Sequence, residues 1–406
     1  MSSFRSVAFR WLWCSSVAAY FAAGIQATAT AWLAVDAGGG GFGVGLVLAA
    51  RMLPNLLFGL AAGTLADRAN RNRLLVVVAL AGVPVMLALS WLAATGNVAV
   101  WQLVPLSFAT GCMFVFDVPA RQALVMDTVP REIAPNAMAL NAVATRLCTA
   151  LGALIAGALI ATVSVASCYV AVAVAYALAA GLMIFVRPPR SPASRIASPR
   201  PPFGRAMREA ARIIVDVAAV RTLILAGIAC EVFGFSFQTA TPVFARDVLA
   251  AGPEGLGTLN AAAALGGTLA VLTLSLLPGH IRREPVLGLV FVVYGVSLLA
   301  LAQSHALPLA GAILLVTGAC AAAFDLLQQT VIQLAVPEEQ RGRAVGIWVL
   351  GIGSAPLGHL EMGSLIAMLS APLALSINGS FVLLGAATLL ARAPTYRWLL
   401  RPRPAD

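Results

Sequence analysis

Charged and amide side chains inside long apolar runs are the residues of this sequence with the means to do chemistry. Arg51 and Arg146 lie about one-third to halfway into long, mainly apolar runs. Placing such a group in hydrocarbon costs roughly 3 kcal/mol on insertion scales, so each needs a partner, a cavity or a task. The tasks open to both are binding an anionic group, pairing with a proton-carrying carboxylate, or a structural tie to carbonyls or to Asp117. Asp117 and Arg121 are four residues apart on one helical segment and flank Pro119, a spacing that allows an internal pair. Glu231 is followed by Phe235, Gln238 and Pro242 at helical spacing, so one face would carry a carboxylate, an aromatic ring and an amide. Asp325 begins a polar stripe with Gln328, Gln329 and Gln333. His359 and Glu361 are two apart and must point to different faces of a helix. A buried carboxylate suits a group that loads and releases a proton, and a polar face suits a cavity for an amphipathic ligand. Each of these residues also has a plainer reading as a hydrogen-bonded part of the frame. Tyr20, Gln26 and Asn55 are most simply helix–helix hydrogen bonders.

Other chemistries are excluded. All 26 basic residues are arginine, so a phosphate-binding loop ending in Gly-Lys-Ser/Thr is impossible. The three histidines are widely separated. The six cysteines all lie within apolar runs and lack metal-ligand spacing, so they read as small buried hydrophobes. We expect no catalytic residues, no metal and no cofactor. A net charge of +10 would suit nucleic acid, but the arginines sit in short loops between apolar runs, which is the mark of membrane topology.

The elements that must hold these residues are membrane helices. The chain is 60% hydrophobic and 10% charged, where a soluble domain is about a quarter charged. Twelve segments are apolar over about the length that spans a bilayer. They fall near 11–35, 44–66, 74–94, 100–128, 137–161, 166–186, 219–245, 256–278, 286–302, 308–334, 344–369 and 373–391. The fourth is expected to break at Pro119. The first is long enough to span and is followed by no small-residue cleavage site, so it is expected to be retained. Between Arg187 and Arg212 the chain carries seven arginines and several prolines. That reads as a linker, with Phe203 to Asp216 an amphipathic approach helix. The expected organisation is therefore 1–186, a linker at 187–216, and 217–406 with a basic tail. With the N-terminus inside, nearly every loop arginine falls on one face and only Arg246 lies in an outer loop. Both termini are then cytoplasmic.

Gly63-Thr64-Leu65-Ala66-Asp67-Arg68-Ala69-Asn70-Arg71-Asn72-Arg73 joins the second and third apolar runs. So much charge cannot lie in hydrocarbon, and the stretch is expected to be a tight loop at a membrane face. The pattern Gly-x-x-x-Asp-Arg-x-x-Arg resembles the loop signature of the major facilitator superfamily. By that resemblance Gly63, Asp67, Arg68 and Arg71 form a gating loop, and Asp67 locks two halves together at the cytoplasmic face. The plainer reading is a topological anchor that needs only positive charge.

The chain also repeats itself. Pro130 and Pro337, and likewise Ala137 and Ala344, are each 207 residues apart. The loop at 63–73 has a worn counterpart at Leu277 to Arg283, with Gly279 in place of the aspartate. The resemblance thus implies an all-α membrane protein of twelve helices in two pseudo-symmetric six-helix halves, with substrate bound between them. Arg146-Leu147, Gly152 and Ala156-Gly157, with Leu326 to Thr330, Gln333, Pro337, Gly342-Arg343 and Gly346 to Trp348, resemble the enterobactin-exporter-like branch. That likeness implies secondary efflux of a drug or siderophore-like molecule. The proton gradient is the natural energy source, and we expect a monomer in the inner membrane of a bacterium. The sequence itself fits import, or a scaffold that has lost transport. The loop at 63–73 speaks against the scaffold, since a scaffold gains nothing from a gate. The sequence departs from drug antiporters, which often carry Gly-Pro in the fifth helix, at Gly152-Ala153, and from many proton antiporters in lacking an arginine early in the fourth helix. The residues open to substrate or proton work are Arg51, Asp117, Arg146, Glu231, Gln238, Asp325, Gln328 and Glu361.

Overall fold

A computed structural model describes residues 2–187, 218–276, 283–336 and 351–396. The linker, most of the stretch at Leu277 to Arg283, the second repeat at Pro337 to Ala344 and the tail beyond residue 396 lie outside the described residues. Among those described, the chain is helical throughout.

The first half comprises six spans: Val7–Ala34, Gly40–Arg68, Arg71–Thr95, Val100–Asp127, Ala134–Thr162 and Val165–Met183. Short polar residues start several of them. Ser6, Asn70 and Ser164 each accept a hydrogen bond from the backbone amide three residues on. Gly96, in the left-handed region at φ 69°, ends the third. The seventh span runs from Ala218 to Val248 and is interrupted twice by wide π turns, at Cys230–Gly234 and Phe244–Val248. The eighth, ninth and tenth are Gly252–Ser275, Arg283–Ala302 and Leu307–Leu334. The described part of the eleventh is Ala355–Met368, and the twelfth is Ala371–Tyr396. Leucine, valine and tryptophan side chains such as Val77, Leu80, Leu87, Trp91 and Trp101 stand exposed around the bundle, where lipid would cover them.

The packing is a copy of itself. In the first half the first span packs on the fifth and sixth, the second on the fourth, and the third on the fourth and sixth. In the second half the seventh packs on the eleventh and twelfth, the eighth on the tenth, and the ninth on the tenth and twelfth. Adding six to each member of the first set gives the second. The halves meet along two seams, second against eleventh and fifth against eighth, which the same shift exchanges. Lipid gives helices little hydrophobic reason to associate, so small residues that let backbones approach decide where they meet. On one seam a Cβ on Gly363 would come within 2.8 Å of the Gly41 carbonyl oxygen. On the other, a Cβ on Gly257 would come within 2.7 Å of the Ala153 oxygen. Both contacts lie toward the end of the bundle away from the chain termini. At the same end Arg246 donates to the Val35 carbonyl at 2.7 Å.

Two expectations are corrected. The fourth span does not break at Pro119. It is continuous from Val100 to Asp127 with Pro105 and Pro119 inside it, because neighbouring groups can absorb a freed carbonyl in a membrane helix. The stretch 63–73 is not a loop along its length. The second helix runs through Gly63 and Asp67 to Arg68, and the third begins at Arg71, leaving Ala69 and Asn70 as the connection. Helix can persist there because arginine and aspartate are compatible with a helix, and Asn70 caps the start of the next one.

Candidate functional site

A cavity of about 290 Å³ opens between the halves. It is walled by the first, second and fifth spans on one side and by the seventh, eighth and tenth on the other. Its charged lining residues are Arg51, Arg146 and Asp325, joined by Gln238, Asn260, Thr28 and Thr149 and by the rings of Phe235 and Phe237. Asn260 donates to the Thr28 hydroxyl at 3.1 Å, a polar tie from one half to the other across the cavity wall.

The two arginines reach the cavity from opposite flanks of the first half. Arg51 sits near the middle of the second span, and its charge lies within electrostatic reach of Tyr176 in its own half and His359 in the other. Arg146 extends from the fifth span across the seam to the eighth. There Gly267 leaves room for it: a Cβ at that position would fall 2.7 Å from the Arg146 Nη1. Arg146 and Asp325 lie within electrostatic reach of each other without forming an ion pair. Among the described residues neither arginine has a hydrogen-bond or ion-pair partner.

The other candidates are placed differently. Glu231 does not share the cavity with Phe235, Gln238 and Pro242, contrary to the helical-spacing expectation. The π turn at Cys230–Gly234 inserts an extra residue between them and rotates Glu231 off that face. It stays within electrostatic reach of Asp325. The stripe from Asp325 is also divided. Asp325 faces the cavity, whereas Gln328 is buried and donates to the Leu223 carbonyl at 2.7 Å. Glu361 accepts from Asn378 at 3.0 Å, inside the second half. His359 is hydrogen-bonded through Nδ1 to the Thr239 hydroxyl at 2.8 Å.

Asp117 and Arg121 form a two-pronged pair, with Nη2 to Oδ1 at 2.6 Å and Nε to Oδ2 at 2.9 Å. Arg121 also reaches the Ser16 hydroxyl at 3.3 Å and lies over the Tyr20 ring. The pair lines a smaller space of about 60 Å³ within the first half, together with Tyr20, Gln26, Tyr176 and Arg51. Arg71, expected in an exposed loop, is instead buried and ion-paired with Asp127 of the fourth span. The side chains of Asp67 and Arg68 lie outside the described residues. Sequence reasoning passed over Asn260, Thr28, Thr149 and Gly267. Asn260 alone carried a signal, as an amide in an alanine-rich run.

The sequence pattern of a family described as transmembrane secretion effector matches residues 1–397. The chain belongs to that family and is a major facilitator superfamily transporter. No curated protein sequence matches it. Among solved structures it is similar to a bacterial homologue of the human lysosomal transporter Spinster, in an inward-facing and occupied conformation. That match has a TM-score of 0.76 at 14% identity and covers 99% of each chain. It is also similar to the nucleoside transporter NupG, with a TM-score of 0.75 at 13% identity over 95% of this chain and 98% of that one. A peptide transporter, POT, in complex with alafosfalin gives a TM-score of 0.73 at 14% identity over 97% and 96%. At such identities the likeness speaks to the fold alone, which is shared over nearly the whole of each chain.

Proposed function

We propose that this transporter exports a small amphipathic molecule of the drug or siderophore-like class by alternating access, in exchange for protons. It would do so in the inner membrane of a bacterium, with both termini in the cytoplasm. The observation that carries the reading is the cavity between the halves, with aromatic walls and three charges that form no ion pair among the described residues. A structural arginine in a membrane is normally tied off, and one left unpaired in a cavity is poised for a ligand. The family's description as a secretion effector supports the outward direction. The proton gradient is the natural energy source, since one charge crossing ~100 mV releases about 2.3 kcal/mol, roughly fifty-fold in concentration. Asp325 and, behind it, Glu231 are the carboxylates we assign to proton work. Asp67 and its neighbours Gly63, Arg68 and Arg71 are assigned to the gate.

The test is uptake of a fluorescent substrate into inverted vesicles with an imposed pH gradient. Uptake that collapses with a protonophore is the expected result. Accumulation in whole cells and none in vesicles would reverse the direction to import. In the same assay Asp67→Asn is expected to slow uptake with normal insertion, and a wild-type rate would remove the gating role.

A further inference from the structure

We infer that the cavity selects an organic anion, with the anionic group of the substrate held between Arg51 and Arg146 and its apolar body against Phe235 and Phe237. This deepens the transport reading and rests on it. Three charged residues line the space, two positive and one negative. The cavity therefore carries a formal surplus of one positive charge with Asp325 ionised and two with it protonated, and in either state an anion is the ligand that offsets it.

Hydrogen bonding leads the same way. A guanidinium offers five N–H donors in a planar fork matched to a carboxylate or sulfonate. Arg121 shows how this sequence satisfies such a fork when the task is structural, through both oxygens of Asp117 and the Ser16 hydroxyl. Arg51 and Arg146 have no such partners among the described residues. Asp325 is close enough to bias Arg146 but makes no ion pair with it. It competes with the ligand for Arg146 and so tunes affinity. Room for Arg146 against the eighth span is secured by Gly267, where any side chain would displace the guanidinium. Phe235 and Phe237, two residues apart and both lining the cavity, supply the apolar wall for an aryl or alkyl body.

The experiment uses three matched probes on purified full-length protein: naphthoate, its neutral amide, and naphthylmethylammonium. Binding is read by thermal stabilisation and by equilibrium titration. Naphthoate is expected to bind at least tenfold more tightly than the other two. Arg51→Gln and Arg146→Gln are each expected to weaken naphthoate by roughly ten- to a hundredfold and to leave the amide unchanged. Asp325→Asn is expected to tighten it, an effect that a merely structural aspartate would not have. Equal binding of the three probes, no response across the panel, or preference for the cation overturns the inference. Gradient-driven flux of the cationic probe would overturn it while leaving the transport reading standing. Charge-selective binding of naphthoate with no flux of any probe would do the reverse.

Discussion

Arg121 and Arg146 are the same side chain in the same half of the molecule, yet their surroundings are opposite. Arg121 is 1% exposed and has carboxylate, hydroxyl and aromatic partners, all within its own half. Arg146 crosses a seam between the halves and, among the described residues, has no ion-pair partner, with the Asp325 carboxylate within electrostatic reach. A transporter must keep each half rigid while the halves move against each other. Charges that close a network inside one half survive that movement, and charges between the halves can be completed only by something that comes and goes. The difference separates frame from site more sharply than residue type or depth in the membrane.

The comparison can be broken most easily at Arg121. Arg121→Gln takes the ion-pair partner from half-buried Asp117 and empties a fully buried site. Removing one partner of a fully buried pair costs about 3–5 kcal/mol, and the partial exposure of Asp117 places this loss toward the lower end. A large fall in melting temperature in detergent is expected, partly restored by adding Asp117→Asn. A variant that melts like the wild type would mean the pair is not part of the frame. Arg146→Gln is expected to do the contrary: stability within about 1 kcal/mol of wild type, because no partner is orphaned, and flux down tenfold or more. Equal loss of stability in both variants would erase the distinction.

The seams sharpen the comparison from another side. Gly45 packs directly on the His359 carbonyl, so Gly45→Leu wedges the second span from the eleventh. The bundle is then expected to favour the state in which this end is open, read as increased reactivity of an introduced thiol from that side. Unchanged reactivity would mean the seam is not part of the moving interface. The smallest effect is expected at Gln328→Leu, which removes one buried hydrogen bond within the second half. Membrane hydrogen bonds average about 0.6 kcal/mol, so melting should fall slightly with flux intact. A collapse of flux would return Gln328 to the site.

Much of the fold could be read directly, because exclusion of charge from hydrocarbon is a strong and local rule. The spans follow from it. The site was legible only in part. Arg51, Arg146 and Asp325 stood out as charges in apolar runs. Glu231 stood out equally, but the π turn at Cys230–Gly234 breaks the period on which its face was assigned. Such a turn leaves no compositional trace. Glu361 and Gln328 were indistinguishable from cavity residues until their partners Asn378 and Leu223 were known. Those partners are distant in sequence. Arg71 was read as a loop charge because Asp127, which buries it, belongs to another span. Gly267 matters for the space it leaves, and a missing side chain among 36 glycines gives no signal of its own.

Alternating access to the cavity between the halves is the central claim, and Thr149 in its wall gives the most direct measurement. Thr149→Cys would be placed in a chain whose six native cysteines are replaced, then treated with a membrane-impermeant maleimide from each side of reconstituted vesicles. The account predicts labelling from one side at a time, with the reactive side switched by the imposed gradient. Labelling from both sides under one condition would mean a channel, and labelling from neither would mean the space is not on the transport path.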